Sequence, residues 1–238
     1  MICDKHGEYE SEQVEVLGNI ISIGCPVCIE DEERQEREEI KRYENQKRIN
    51  RIRSMNIEPM YQDVSFDNFQ TPTKELEKAK QTLIGLVDGK IKKVFMLGRN
   101  GTGKTHLACA ALIKIGGKIM TMYEISTKIR SSYTSAATET ELDIVNNLAS
   151  IPLLVIDEIG RTKGSDSEMN WLSFIIDKRH VRGLPLIMIS NKHKRADCKN
   201  NGCDGCIERY IGDDVISRIS ENGVIINFTG KDYRRSEK

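Results

Sequence analysis

Short apolar runs alternate along the chain with longer segments in which apolar residues recur every three or four positions. The apolar runs predict strands near residues 94–97, 118–122, 153–157, 186–190 and 223–228. The longer periodic segments predict helices near 73–87, 124–133, 139–149, 167–182 and 212–221. This alternation of elements predicts an α/β fold, a parallel sheet with helices on both faces.

A glycine-rich segment follows the first of these runs and precedes a helix-forming stretch. It reads Gly98-Arg99-Asn100-Gly101-Thr102-Gly103-Lys104-Thr105, and His106 comes next. Strand, loop and helix form the context in which a G-x-x-x-x-G-K-T motif binds phosphate through backbone N–H groups. We expect Lys104 to reach the β- and γ-phosphates and the Thr105 hydroxyl to hold magnesium. Binding of a nucleoside triphosphate is therefore favoured over a chance glycine-rich turn.

Polar side chains follow two of the later apolar runs. Asp157 and Glu158 follow residues 153–156, and Asn191 follows residues 186–190. Ligands bind at the carboxyl ends of strands in open α/β sheets. We expect Asp157 to hold magnesium, Glu158 to polarise the attacking water and Asn191 to sense the γ-phosphate. The simpler alternatives are an exposed acidic turn and an ordinary turn-forming asparagine.

The order of these motifs, followed by a late arginine, resembles the AAA+ ATPases, and among them the DnaC-type helicase loaders and IstB-like ATPases. The resemblance spans about residues 60–236 and is carried by the phosphate loop with residues 106–108, by 155–160 and by 212–234. It implies a P-loop ATPase domain that uses ATP and magnesium, with Arg218 acting in the ATP site of a neighbouring subunit. Arg234 is a weaker match to a nucleotide-sensing arginine. Four residues follow it, and we expect no helical lid domain.

The resemblance also implies a role as a helicase loader in DNA replication. Such loaders bind the replicative DNA helicase through their N-terminal region and single-stranded DNA through a ring or spiral of their own ATPase domains. Candidate DNA contacts are the basic loop residues Arg161, Lys163, Lys192, Lys194 and Arg195. A transposition helper ATPase and a P-loop small-molecule kinase remain alternatives. The acidic pair, Asn191 and Arg218 count against the kinase.

The first 28 residues carry a separate pattern of metal ligands. Cys3 and His6 form one pair, Cys25 and Cys28 form another, and 18 residues lie between the pairs. Four such ligands bind zinc tetrahedrally and leave no open position, which indicates a structural site. A segment this short buries too little apolar surface to fold unaided, so metal binding would supply its folding energy. Free cysteines beside a surface histidine are the alternative.

Residues 29–58 are predicted to form a charged helical arm and linker. Acid-before-base pairs at i,i+4 recur along it, at Glu30/Arg34, Glu33/Arg37, Glu38/Arg42 and Glu44/Arg48. Its sparse apolar residues are Ile40, Tyr43, Ile49, Ile52 and Met55. A solvated spacer is the simpler interpretation. The alternative, which the family resemblance supports, is a narrow contact stripe for the helicase.

A second group of metal ligands interrupts the predicted ATPase domain, residues 59–238. His193, Cys198, Cys203 and Cys206 lie within residues 193–206, where the familiar loaders have a short connection without cysteines. Three cysteines among Gly, Asn, Asp and Lys are not typical of core packing. They predict a possible second zinc site, with exposed thiols or a disulfide as the alternative.

Composition narrows the possible partners. Lys plus Arg equals Asp plus Glu at 36 each, so any nucleic-acid contact must come from a local patch. No apolar stretch approaches the roughly 20 residues of a membrane span, and no signal peptide is evident. Seven cysteines with metal-like spacing indicate a reducing cytoplasm rather than disulfides. We therefore expect a cytoplasmic protein that has no membrane partner.

Overall fold

The computed structural model describes residues 1–11, 13–16, 18–22, 24–161, 165–198, 203–230 and 232–233. Two compact units make up the chain, a first unit Met1–Arg51 and a second unit Ile52–Lys238. The division does not fall at residue 28 or 58. Ile52, Met55 and Ile57, which the sequence pattern assigned to the arm, are buried in the core of the second unit.

The first unit contains two small hairpins and a long helix. The hairpins pair β1 (Ile2–Cys3) with β2 (Gly7–Glu8) and β3 (Gln13–Val16) with β4 (Asn19–Ser22). Helix α1 spans Pro26–Ser54, with proline at its first position, where the missing N–H costs no hydrogen bond. Its predicted ion pairs Glu33–Arg37 and Glu38–Arg42 form, whereas Arg34 pairs with Asp31 rather than with Glu30.

The second unit is built on a parallel sheet, as predicted. Its strands are β5 (Lys93–Gly98), β6 (Gly117–Thr121), β7 (Leu153–Asp157), β8 (Leu186–Ser190) and β9 (Gly223–Phe228). Within the described residues these five strands lie in the order β6-β7-β8-β5-β9, and every pairing is parallel. The carboxyl ends of β5, β7 and β8 therefore meet at one edge of the sheet.

Helices cover both faces of this sheet. They are α2 (Lys74–Val87), α3 (Lys104–Ile115), α4 (Met122–Ser131), α5 (Glu141–Leu148), α6 (Asp166–Val181) and α7 (Glu208–Ser220). Val94 and Met96 of β5 join a core with α2 and α3, whereas Phe95 and Leu97 join a core with α4 to α7. Alternate residues of one buried strand thus serve two cores, which explains why the strand is apolar throughout.

Local hydrogen bonds explain where several helices begin. Thr121 and Thr140 form capping boxes with Glu124 and Asp143, so α4 starts two residues before the predicted position. Helix α7 starts at Glu208, earlier than predicted, and contains a kink at Gly212, where φ is +74°. Among the described residues, no helix is both long and apolar enough to cross a membrane.

One buried charge was not anticipated from the sequence. The Arg179 guanidinium is almost fully buried and donates to the carbonyl oxygens of Leu148, Ile151, Pro152 and Pro185. Burial lowers the pKa of Arg179 to about 10. Because these acceptors lie at the end of α5 and directly before β7 and β8, Arg179 holds together the segments that lead into these two strands.

Candidate functional site

A cavity of about 730 Å³ lies at the carboxyl edge of the sheet. Most of the predicted nucleotide-binding residues line it: Asn100, Gly101, Thr102, Gly103, Lys104, Thr105, His106, Asp157, Glu158 and Asn191. Gly98 and Arg99 are the first two residues of the phosphate loop, and their carbonyl oxygens accept hydrogen bonds from Lys104. Residues far apart in sequence thus surround one space of a size suited to a nucleotide.

The phosphate loop has the backbone that its glycines were expected to provide. Gly103 has φ of +92° and precedes the first residue of α3. A Cβ there would lie 2.7 Å from the ring of Phe69, so a larger residue would meet both strain and a clash. The Lys104 ammonium donates to the carbonyl oxygens of Gly98 at 2.7 Å and Arg99 at 2.6 Å. In this state the lysine is held by its own loop.

Thr105 and Asp157 form the hydroxyl–carboxylate pair expected of a magnesium site. The Thr105 Oγ1 donates to Asp157 Oδ2 at 3.1 Å, across the gap between α3 and β7. Burial raises the pKa of the Asp157 carboxyl above its ordinary value of 3.8. A half-buried carboxylate beside a hydroxyl is a suitable oxygen ligand set for Mg²⁺.

Glu158 is held in an unusual backbone conformation. Its φ is +59°, in the left-handed region that non-glycine residues seldom adopt, and its N–H donates to Asp157 Oδ1 at 2.6 Å. Its carboxylate pairs with the Arg161 guanidinium, which also lines the cavity. The strained turn aims the second acid of the pair into the site rather than into the sheet.

The cavity has further walls that the motifs did not predict. Asn56, Tyr61 and Glu124 line it, and so does Tyr233 from the C-terminal segment. The Tyr233 N–H donates to Gly101 O at 2.9 Å, so this segment contacts the phosphate loop directly. Arg234, the predicted nucleotide-sensing residue, lies outside the described residues.

His106 contacts the segment that leads into α2. Its ring packs edge-on against Phe69 at 5.2 Å, and its Nε2 lies 3.1 Å from Asn68 Oδ1. Burial lowers the pKa of His106, which favours the neutral ring at physiological pH. His106 therefore lines the cavity and also packs against the segment that leads into α2.

Arg218 does not lie among the described residues that line this cavity. It is near the C-terminal end of α7, where its carbonyl oxygen accepts a hydrogen bond from Lys93 at the start of β5. The phosphate loop follows the other end of β5, about 16 Å away at ~3.3 Å per residue. The half-exposed Arg218 guanidinium pairs with Asp177, and this ion pair raises the pKa of Arg218.

In the first unit, the N-terminal metal ligands converge. His6 Nδ1 lies 3.7 Å from Cys3 Sγ, 3.7 Å from Cys25 Sγ and 3.3 Å from Cys28 Sγ, and Cys3 and Cys28 are 3.4 Å apart. A zinc tetrahedron with bonds of ~2.3 Å to sulfur and ~2.1 Å to nitrogen has edges of roughly 3.5–3.8 Å. The four side chains therefore fit a zinc ion, and Cys28 brings the first turn of α1 into the set.

Neighbouring groups suit this cluster to a cation. His6 Nε2, the ring nitrogen turned away from the sulfurs, is 3.7 Å from Asp31 Oδ2, the usual arrangement around a metal-bound histidine. Backbone N–H groups, that of Lys5 foremost, lower the pKa of Cys3 to about 6. The adjacent Cys3 sulfur raises the pKa of Cys28 to about 11.

The second group, His193, Cys198, Cys203 and Cys206, also comes together, with all four ligand atoms within 4.8 Å of one another. The basic loop residues near it have partners within the chain. Lys192 donates to Tyr210 Oη at 2.9 Å, and Arg195 pairs with Asp213 at 3.6 Å. Lys163 lies outside the described residues. Lys192 and Arg195 thus stabilise local structure whatever else they bind.

Comparison with known proteins gives both a family and a fold. The model of a family described as IstB-like ATP binding protein matches residues 28–238. The replicative helicase loader DnaC of Escherichia coli (strain K12) is 29% identical over 186 residues, which are 74% of this chain and 75% of that protein. Both matches include the phosphate loop and the acidic pair at the cavity.

Two solved structures resemble most of this chain in fold. The crystal structure of the DnaC helicase loader has a TM-score of 0.60 at 20% identity, covering 72% of this chain and 100% of that one. The crystal structure of DnaI has a TM-score of 0.58 at 18% identity, covering 77% and 100%. At these identities the likeness concerns the fold, and it confirms the predicted P-loop sheet architecture.

Proposed function

The chain belongs to the IstB-like ATP-binding protein family, as its motifs predicted, and we propose that it is an ATP-hydrolysing loader of a replicative DNA helicase. The observation that carries this proposal is one cavity lined by Lys104, Thr105, Asp157, Glu158 and Asn191. The similarity to the replicative helicase loader DnaC supports the choice of client.

The residues of the cavity divide the work of hydrolysis. Lys104 exchanges its loop carbonyls for phosphate oxygens, and Thr105 with Asp157 would hold magnesium, which neutralises charge developing on the phosphates. Glu158 accepts the proton of the attacking water, and Asn191 orients that water or contacts the γ-phosphate. While Arg161 pairs with Glu158, the base is engaged elsewhere. Productive binding must therefore loosen that pair.

Two substitutions test this division. Lys104→Ala should abolish ATP binding, because the phosphates lose the cation fixed on the loop. Glu158→Gln should bind ATP at parental affinity and fail to hydrolyse it, because an amide cannot accept the proton. Nucleotide titration and phosphate release, measured without any acceptor substrate, check both expectations. Equal hydrolysis by Glu158→Gln and the parent would remove Glu158 from the mechanism, and release that required an acceptor would favour the kinase.

The position of Arg218 supports assembly of several copies. Strand β5 separates this arginine from its own phosphate loop, so it can complete an ATP site only in a neighbouring copy. A ring or spiral, in which α7 of one copy faces the cavity of the next, brings the two together. The resting Arg218–Asp177 pair keeps the guanidinium at the surface, between α6 and α7.

Arg218→Ala should keep ATP binding and lower hydrolysis, on the order of 1,000-fold if it acts as an arginine finger. Asp177→Ala is the matched control, since it breaks the same ion pair and leaves the guanidinium in place. Near-parental hydrolysis by Asp177→Ala is expected. Mixing Arg218→Ala with Lys104→Ala should restore activity at mixed interfaces. Equal losses in Arg218→Ala and Asp177→Ala, with no rescue on mixing, would reduce Arg218 to a structural ion pair.

The first unit is the proposed docking element for the helicase. Ile40 and Tyr43 are exposed on one face of α1, with 51% and 66% of their surfaces accessible. Exposed apolar side chains at i,i+3 on a charged helix suit a partner helix. Ile52 and Met55 are buried in the second unit, so the proposed stripe is shorter than the sequence suggested. Zinc at Cys3, His6, Cys25 and Cys28 would hold the base of this helix.

Single-stranded DNA is the second proposed ligand. The chain has no net charge, so DNA affinity must come from a few phosphate contacts repeated around an oligomer. The half-buried Lys194 and its neighbours are candidates. A reducing compartment, the cytoplasm, suits both this role and cysteines that bind metal as thiolates.

A transposition helper ATPase remains the alternative, because the family description names IstB-like proteins. The two functions share one ATP site and differ in their client. Binding of the full chain to a replicative helicase, in parallel with a transposase of the same genome, separates them. Capture of the transposase alone would favour the alternative.

A further inference from the structure

The ligand cluster in the second unit has the dimensions of a metal site. His193 Nε2 lies 3.3 Å from Cys203 Sγ and 3.7 Å from Cys206 Sγ, and the two sulfurs are 3.9 Å apart. Cys198 completes a set whose ligand atoms all lie within 4.8 Å of one another. Among the described residues, none of these three cysteines forms a disulfide. The spacings of His193, Cys203 and Cys206 are close to the edges of the zinc tetrahedron described for the first unit, and Cys198 supplies a fourth ligand nearby.

The backbone around the cluster is shaped for these ligands. The Gly205 N–H donates to Cys203 Sγ at 3.3 Å. A Cβ on Gly205 would lie 2.5 Å from His193 Cε1, so a side chain there would displace the imidazole. The His193 N–H donates to Gly205 O at 3.0 Å, and the Ile207 N–H donates to His193 O at 2.8 Å.

The segment that carries these ligands joins the ATP cavity to α7. We call residues 191–207 the sensor connection. It begins at Asn191, which lines the cavity, and ends at the buried Ile207, directly before α7. Lys192 contacts Tyr210 of α7, and the Tyr210 hydroxyl donates to Asp204 O at 2.9 Å. One corner of this connection is therefore packed on α7.

Further contacts attach the sensor connection at its other corner. The Arg195 N–H donates to the Glu208 carboxylate at the start of α7. The Asn227 amide of β9 donates to Asp197 Oδ2 at 2.9 Å. The four Cys and His ligands belong to this same segment, and a metal bound to them would link its two corners.

We infer that His193, Cys198, Cys203 and Cys206 bind one structural zinc ion, which holds Asn191 of the ATP cavity in a fixed position relative to α7. The zinc takes three thiolates and a neutral imidazole, and the displaced protons go to solvent. The effect on catalysis rests on the proposed ATPase function, whereas the metal site itself does not. Since α7 carries Arg218, loss of zinc should weaken communication between one ATP site and the next.

Metal content of the full chain, purified under reducing conditions, tests the site without reference to ATP. The parent should hold two zinc ions per chain, and Cys203→Ser and Cys25→Ser one each. Cys203 is chosen because Cys206 is fully buried and its loss would also disturb packing. Gly205→Ala should lose the same zinc with all four ligands present, and Cys203→His should retain it. A parent with one zinc, lost in Cys25→Ser, would overturn the site.

The same variants test the coupling. Cys203→Ser should bind ATP like the parent and hydrolyse it at least about fivefold more slowly, the low end of common couplings between linked sites. Cys203→His should restore the rate. Unchanged hydrolysis in a Cys203→Ser chain that has lost its zinc would overturn the coupling. A parent that binds ATP without hydrolysing it would instead contradict the proposed function, and the metal count would still decide the site.

Discussion

Among the residues whose side chains the structure describes, Cys25 is the one buried in the first unit, whereas the second unit buries an apolar core on each face of its sheet. Both units nevertheless bring one histidine and three cysteines to within 4.8 Å. The same set of metal ligands therefore occurs in two different structural settings. In the first unit a metal would supply folding energy to two small hairpins, and in the second it would stiffen one loop of a domain that already has a core.

The largest structural effect is expected when a ligand of the first cluster is removed. Cys25→Ser should unfold the hairpins of the first unit, because three metal ligands cannot hold so small a unit. Amide hydrogen exchange should become fast in residues 1–25 and stay slow in β5, β7 and β8. ATP affinity should match that of the parent, since the cavity lies wholly in the second unit.

Cys203→Ser is the reciprocal control for this experiment. It should leave exchange in the first unit unchanged while it removes the other zinc. If Cys25→Ser also accelerated exchange in the central strands, the two units would not be energetically separate, and the contrast drawn above would fail.

A smaller effect, on the stability of the second unit, is expected when Asp157 is substituted. Burial raises its pKa above 3.8, so the folded chain holds this proton more tightly than the unfolded chain. Without nucleotide, stability should therefore fall as pH rises from 3.8 through the raised pKa. Asp157→Asn removes this loss and should raise Tm at pH 7, by about 2–4 °C per kcal/mol recovered, while it abolishes magnesium-dependent hydrolysis.

Asp143→Asn is the matched control, because hydrogen bonds from Thr140 lower the pKa of Asp143. Its charged form is favoured in the folded chain, so its contribution is present at neutral pH and lost as pH falls. Thermal scans from pH 4 to 8 should show opposite signs for the two variants. A lower Tm for Asp157→Asn at pH 7 would contradict the assignment of a buried, costly carboxylate.

The sequence predicted those parts of the molecule whose signals are local. The phosphate loop, the strand ending in Asp157 and both Cys/His sets each occupy a short stretch with a distinctive spacing. The order of strands, loops and helices then predicted that the polar side chains following β5, β7 and β8 lie at one edge of the sheet. Their meeting follows from parallel topology rather than from any single motif.

Other features depended on tertiary contacts that no spacing reveals. Ile52 and Met55 continue a charged helix, and nothing in the pattern indicates where that helix enters a core. Buried Arg179 looks like any arginine at the end of a helix until its acceptor carbonyls are seen. The contact of Tyr233 with Gly101 joins segments 132 residues apart. The hairpins of the first unit are too short to show alternation.

The central claim is that the first unit captures a replicative helicase and the second unit, using ATP, places it on DNA. The most direct measurement follows labelled helicase from the same genome onto closed circular single-stranded DNA, with the parent, Cys25→Ser or Glu158→Gln present. The parent should transfer helicase, Cys25→Ser should fail to bind it, and Glu158→Gln should bind it without releasing it onto DNA. Transfer by Cys25→Ser at the parental rate, or helicase loading unaffected by the parent, would contradict the account.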